Sequence, residues 1–162
     1  MRRRSSIFIR GGGLDIAFLG FGEFDAQGNV NVSRLGGLTV GPGGFIDIAQ
    51  NARKVVFCGT LAAKGVKLQT GDGQMRVLQQ GAVKKLVKQV EQITYSGPQG
   101  LVRKLYLTER ASFRLTPEGI ERFEIAPGID LQCDVLDQMA FAPLVVADLK
   151  VMDSAYFRTM AD

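Results

Sequence analysis

Histidine is absent from the 162 residues. That absence removes histidine-dependent triads, histidine general bases and histidine zinc ligands from the chemistry open to the chain. Cysteine is scarce: Cys58 and Cys133 stand far apart, in apolar or helical contexts, without zinc-finger spacing or a disulfide framework. They read as free, buried thiols of a reducing compartment. The flanks of Cys58 (residues 55–57 and 59–60) read as core strand, which favours an inert thiol over a nucleophile. No apolar run approaches the ~20 residues of a membrane span, and the first ten residues, MRRRSSIFIR, have a charged head without the apolar stretch of a secretory signal. The expected location is the cytoplasm. No internal repeat and no linker divides the chain.

Excess positive charge is also nearly absent once its location is considered. The formal charge is +4, yet Arg2, Arg3, Arg4 and Arg10 supply four positive charges in an acid-free arm. The remaining body has sixteen basic and sixteen acidic side chains. With no base-reading motif and no basic-aromatic groove pattern, nucleic acid is not an expected partner, and neither is a membrane.

What the chain does have is apolar residues, 46% of the total, and 20 glycines in clusters. The first is enough for one core. The second marks tight turns or close backbone approaches. Residues 14–20 (LDIAFLG) read as a buried strand, 25–28 as a turn, and 29–33 (NVNVS) as an alternating strand. A glycine loop over 36–44 runs into a helix at 45–52, whose apolar face is Phe45, Ile48, Ala49 and Ala52. A second buried strand follows at 55–58, giving the pattern of a parallel α/β unit. Further on, 61–71 reads as a connection, 75–79 as a strand, and 82–90 as a helix or strand edge with Lys84, Lys85 and Lys88 on its wet side. Residues 92–95 and 105–108 read as strands, and 111–115 with 119–125 as a hairpin. Asp130 reads as the cap of a helix carrying Leu131, Val135, Leu136 and Met139; 148–160 reads as a terminal helix or tail.

Three features can carry chemistry. Gly41, Gly43 and Gly44, with Pro42 between them, precede the helix at Phe45. Such a loop is either a tight turn or a cradle of backbone amides for a carboxylate, phosphate or developing oxyanion. No Gly-Lys-Ser/Thr follows, so it is not a P-loop, and it does not fit a dinucleotide fingerprint. Asn29 and Asn31, two apart on a strand, either line a cleft or satisfy backbone groups near the turn. The triplet Gly11, Gly12, Gly13 with Asp15 allows close packing where the first strand begins. Of the acids, Glu118 and Glu121 read as solvated around the hairpin, Glu109 as ion-paired with Arg110, and Glu91 and Glu124 offer no motif.

In order, GGGLDIAFLG, DAQGNVNVS and GPGGFIDIAQNARKVVFCGT resemble the beta-type half of family I coenzyme A transferases, near fused acetate or propionate enzymes. VEQITYSG and LYLTERASFRLTPEGIERFEIAPGIDLQCDVLDQM continue the likeness. It covers residues 11–146, leaving 1–10 as a basic arm and 147–162 as a C-terminal helix or tail. The resemblance implies an open, largely parallel α/β sheet with helices and an antiparallel hairpin. It implies acyl-CoA and carboxylate substrates, no metal and no tightly bound cofactor. It implies a glutamate nucleophile that forms an anhydride and then a glutamyl-CoA thioester. It places Gly41, Gly43 and Gly44 at the acyl site, Asn29 and Asn31 near the cleft, and Gly59, Thr60, Lys64 and Gly65 on the coenzyme A side. Pro42 departs from the pattern and removes one amide donor. The family's Glu-x-Gly motif is upstream of the segment matching Gly11, and MRRRSSIFIR does not match it. The expectation is therefore no catalytic residue within the chain and no activity alone, with self-association as a dimer or a glutamate-bearing partner half completing it; a non-catalytic interaction protein is the alternative.

Overall fold

The structure is a computed structural model that describes residues 14–99 and 103–160. The glycine triplet and the basic arm lie outside the described residues. Strand β1 (Ala17–Gly20) leads to β2 (Glu23–Asp25) and β3 (Val30–Asn31), then to β4 (Arg34–Leu35) and β5 (Leu38–Thr39). Helix α1 (Phe45–Asn51) precedes β6 (Lys54–Cys58), β7 (Ala62–Ala63), β8 (Lys67–Gly71) and β9 (Gln74–Gln79). The chain continues through β10 (Val83–Lys84), β11 (Leu86–Val87), β12 (Arg103–Leu107), β13 (Ala111–Thr116), β14 (Gly119–Ile125) and β15 (Leu144–Val151).

The main sheet has the order β1-β6-β12-β13-β14-β15. β1, β6 and β12 are mutually parallel, β13 and β14 form an antiparallel hairpin beside them, and β15 returns parallel to β14. It is a mixed α/β sheet with parallel strands at its heart. β6 is buried because its centre, Val55, Val56 and Phe57, is an unbroken apolar run, as a strand covered on both sides requires. One face meets α1 through Phe45 and Ala49, spaced i and i+4. Around it, Phe24, Phe57, Tyr95, Tyr106 and Phe113 form an aromatic centre, with Phe24 4.7 Å and Phe57 5.3 Å from the Tyr106 ring. Burying each such ring contributes roughly 2–3 kcal/mol.

Several elements differ from the sequence expectation. The glycine loop is two structures. Gly36 and Gly37, both at positive φ, make the two-residue turn of the β4–β5 hairpin, and only residues 41–44 lead into the helix. The strand expected over 29–33 is two residues long, because Asn31 turns the chain. Residues 61–71 include two strands, and β8 forms a hairpin with β9. Residues 82–90 are two short strands pairing with β7 and β2. Residues 92–95 contribute a single bridge, Val30 to Tyr95. The helix at 131 is a π-helical turn (Leu131–Val135) followed by a 3-10 turn (Leu136–Gln138), with the Asp130 carboxylate accepting from the Cys133 amide as its cap. The segment expected as a C-terminal helix or tail begins as strand: β15 ends at Val151, and a 3-10 turn follows at Ser154–Phe157. Cys133 is exposed and Cys58 half-buried, so neither thiol is fully buried as expected; both are free.

Candidate functional site at the carboxyl ends of the parallel strands

In open α/β sheets, ligands gather at the carboxyl ends of the parallel strands. Here β1 ends at Phe21 and Gly22, β6 at Gly59, Thr60 and Leu61, and β12 at Thr108, Glu109 and Arg110. Helix α1 runs back along the sheet between β1 and β6, so its N-terminus and the preceding glycines belong to the same end.

Two fixed groups shape this end. The Glu109 carboxylate accepts from the Leu61 amide at 2.9 Å and from Arg110 Nε at 2.9 Å. Arg110 is fully buried, and its Nη1 donates to Gln80 Oε1 and to the Asp134 carbonyl. The expected local ion pair is therefore present, and it also ties the Gly59–Leu61 turn to β12. The second group is Lys85, whose Nζ lies 4.5 Å from the Phe21 ring centre and 3.5 Å from Thr60 Oγ1. Burial lowers its pKa below the ordinary lysine value, and Glu109 partly restores it. Lys84 and Lys88 are exposed but Lys85 is half-buried, which corrects the wet-side placement of all three. Sequence alone missed Lys85; the signal was the strand period, which breaks between β10 and β11.

In the glycine loop, a Cβ added at Gly41 or Gly43 would meet nothing within 4 Å, and Gly43 has φ 56. No side chain caps the helix. The Phe45 amide donates to the Pro42 carbonyl, while among the described residues the amides of Gly43 and Gly44 have no partner. The loop is open to solvent.

Asn29 and Asn31 are buried. Asn29 Nδ2 donates to Asp25, and its Oδ1 accepts from the Gly97 amide. Asn31 Oδ1 accepts from the Ser33 and Arg34 amides, and its Nδ2 donates to Glu23 Oε1 and to the Arg34 carbonyl. Their amides satisfy the turns around β2 and β3 and present nothing to solvent. Lys64 and Gly65 sit apart from Gly59 and Thr60, in an exposed turn at φ 60 and 84 whose Lys64 carbonyl accepts from Ala82. Burial raises the Cys58 thiol pKa, in keeping with an inert thiol. A separate cleft of about 740 Å³ opens beside the β13–β14 turn, at the amino ends of the parallel strands. Arg103 and Lys104 line it, and Lys104 is already held by the Gly97 and Gln99 carbonyls.

A mixed sheet with a βαβ crossover and a glycine loop at its strand ends makes an α/β domain whose ligand end is the carboxyl end of its parallel strands. No family model matches the chain. Curated relatives do: it is 46% identical over 153 residues to the acetate CoA-transferase YdiF of Escherichia coli O157:H7 and 48% identical over 155 residues to the caffeate CoA-transferase of Acetobacterium woodii. These alignments cover 93% and 91% of the chain but 29% of each relative, so the chain spans under a third of their length. The crystal structure of the E. coli O157:H7 YdiF apoenzyme superposes with a TM-score of 0.93 at 43% identity, over 98% of this chain and 31% of that one. Its thioester complex with CoA gives 0.92 at 44%. The decarboxylase AibA/AibB, at 20% identity and TM-score 0.68, shares the fold. The chain carries a domain of the family I coenzyme A transferases.

Proposed function

We propose that this chain forms part of an enzyme moving coenzyme A between an acyl-CoA thioester and a short-chain carboxylic acid. The observation that carries the reading is identity of 46–48% to an acetate and a caffeate CoA-transferase across more than nine-tenths of the chain. In the proposed reaction a glutamate carboxylate attacks the thioester carbonyl and expels the coenzyme A thiolate, leaving an acyl-glutamyl anhydride. The thiolate adds back to the glutamyl carbonyl and releases the donor acid. The acceptor carboxylate then repeats the exchange in reverse. Each addition places negative charge on a carbonyl oxygen, and the free amides of Gly43 and Gly44 are the donors suited to it. The turn at Gly59 and Thr60 faces the coenzyme, while Asn29 and Asn31 hold the β2–β3 segment that leads to the loop.

The nucleophile comes from outside these 162 residues. Glu23, Glu91, Glu109, Glu121 and Glu124 are each engaged, by Asn31, Arg34, Arg110, Arg114 and Ser112 respectively. Glu118 is exposed on the hairpin turn, at the far end of the sheet. The chain alone is therefore inactive, works in the cytoplasm with its thiols reduced, and associates with a copy of itself or with a glutamate-bearing half. The test is transfer from acetyl-CoA to propionate, by the chain alone and mixed with the remaining portion of a family enzyme, with mass spectrometry for a coenzyme A adduct. Transfer is expected only in the mixture, with the adduct on the added portion. An adduct on a glutamate of this chain would overturn the assignment.

A further inference from the structure

We infer that Lys85 is an anchor for an oxyanion group of the substrate, a phosphate of coenzyme A or a carboxylate; the inference rests on the transferase reading for its ligand class. Lys85 stands at the carboxyl ends of β1 and β6, on backbone fixed from both sides. Lys84 pairs with Ala62, Leu86 pairs with Phe24, and the Lys85 carbonyl accepts from the Phe24 amide at 3.0 Å. Phe21, which carries the ammonium on its ring face, is itself set edge-on against buried Phe24 at 5.1 Å. The backbone that carries the charge is therefore placed by the core, and the Phe21 ring seats the ammonium.

The ammonium is half-buried, and among the described residues no carboxylate is in contact with it. Its neighbours are an aromatic face and one hydroxyl, Thr60 Oγ1 at 3.5 Å, with Glu109 acting through space. Half-burying a cation in that way costs free energy that a purely structural lysine avoids by pairing or by snorkelling. Gly59 gives a second, independent mark. A Cβ there would lie 2.8 Å from Phe21 Cε1 and 3.1 Å from Lys85 Nζ, so the missing side chain is what admits the seated ammonium. On the other side of Phe21, a Cβ at Gly22 would meet Leu35 at 2.7 Å, and Leu35 opens the hairpin that feeds the glycine loop. An anion that reaches Lys85 gains a charge-assisted hydrogen bond from its ammonium.

The experiment follows Lys85 directly in the purified 162-residue chain. Lysines are labelled by reductive carbon-13 methylation, and the Lys85 signal is assigned by its loss in Lys85→Arg. Coenzyme A, inorganic pyrophosphate and acetate are titrated at constant ionic strength, with exposed Lys88 as the internal reference. The expected result is a saturable shift of the Lys85 signal beyond that of Lys88, and about tenfold weaker binding of the effective probe in Lys85→Gln, with Lys88→Gln unchanged. A response to coenzyme A and pyrophosphate assigns a phosphate; a response to acetate alone assigns a carboxylate. A response to pyrophosphate without any coenzyme A binding leaves the anchor standing as a phosphate site, and the transferase reading is then decided separately by transfer in the mixture with the remaining portion of a family enzyme. Coenzyme A binding that neither moves Lys85 nor weakens in Lys85→Gln overturns the anchor and leaves the transferase reading intact. A Lys85 signal indifferent to all three probes overturns it as well.

Discussion

Tyr106 shows what one residue does here. Its ring is fully buried between Phe24 and Phe57, and its hydroxyl donates to the Gly28 carbonyl at 2.6 Å. Burial raises its pKa far above that of a free phenol, and Tyr95 is raised in the same direction. In the unfolded chain these phenols lose their protons above about pH 10, while the folded ones keep them. The unfolded state then binds fewer protons, so stability falls as pH rises through that range. Tyr106→Phe should cost about 1 kcal/mol at neutral pH and flatten the alkaline decline, leaving the Tyr95 share. Urea midpoints measured between about pH 9 and 11 check this; an unchanged alkaline slope would contradict it. At this scale the sequence was read unevenly. The pairing of Glu109 with Arg110 was legible because the residues are adjacent. Lys85 was not, because its neighbours Phe21, Gly59 and Thr60 are distant in sequence and only strand pairing brings them together.

Among the elements, β2 to β5 are too short to hold themselves. Strands of two or three residues have almost no ladder, and Asn31 substitutes for one by bonding Glu23 of β2 and the backbone of Ser33 and Arg34. Asn31→Ala removes the acceptor of the Ser33 and Arg34 amides, while Glu23 keeps the Glu91 amide, and the expected loss is about 3 kcal/mol in urea unfolding. A loss below about 1 kcal/mol would mean that water replaces the amide at little cost. Elements with a strong pattern were legible: the apolar runs of β1 and β6, the i, i+4 face of α1, and the hairpin around residues 116–119. Those lost were of two kinds. β7, β10 and β11 are too short for a period to register. β15 was hidden by Asp148 and Lys150, charges that an exposed strand at the sheet edge tolerates and that an expected buried strand would not.

For the whole molecule, the exposed apolar side chains include Phe18 on edge strand β1, Leu38 and Val40 by the glycine loop, and Val145 and Val151 on edge strand β15. Surfaces of this kind favour association. Sedimentation over a rising concentration series should show the isolated chain self-associating, and a single monomeric species at high concentration would refute it. The parallel trio at the heart of the sheet has a further consequence, for the order of folding. β13 and β14 are joined by a short turn and meet at little entropic cost. β1 reaches β6 only after residues 21–53 have been gathered into a loop, and β6 reaches β12 only after residues 59–102 have been. The hairpin thus zips early, and the parallel strand ends that hold the glycine loop, Thr60 and Lys85 are among the last parts of the chain to find one another.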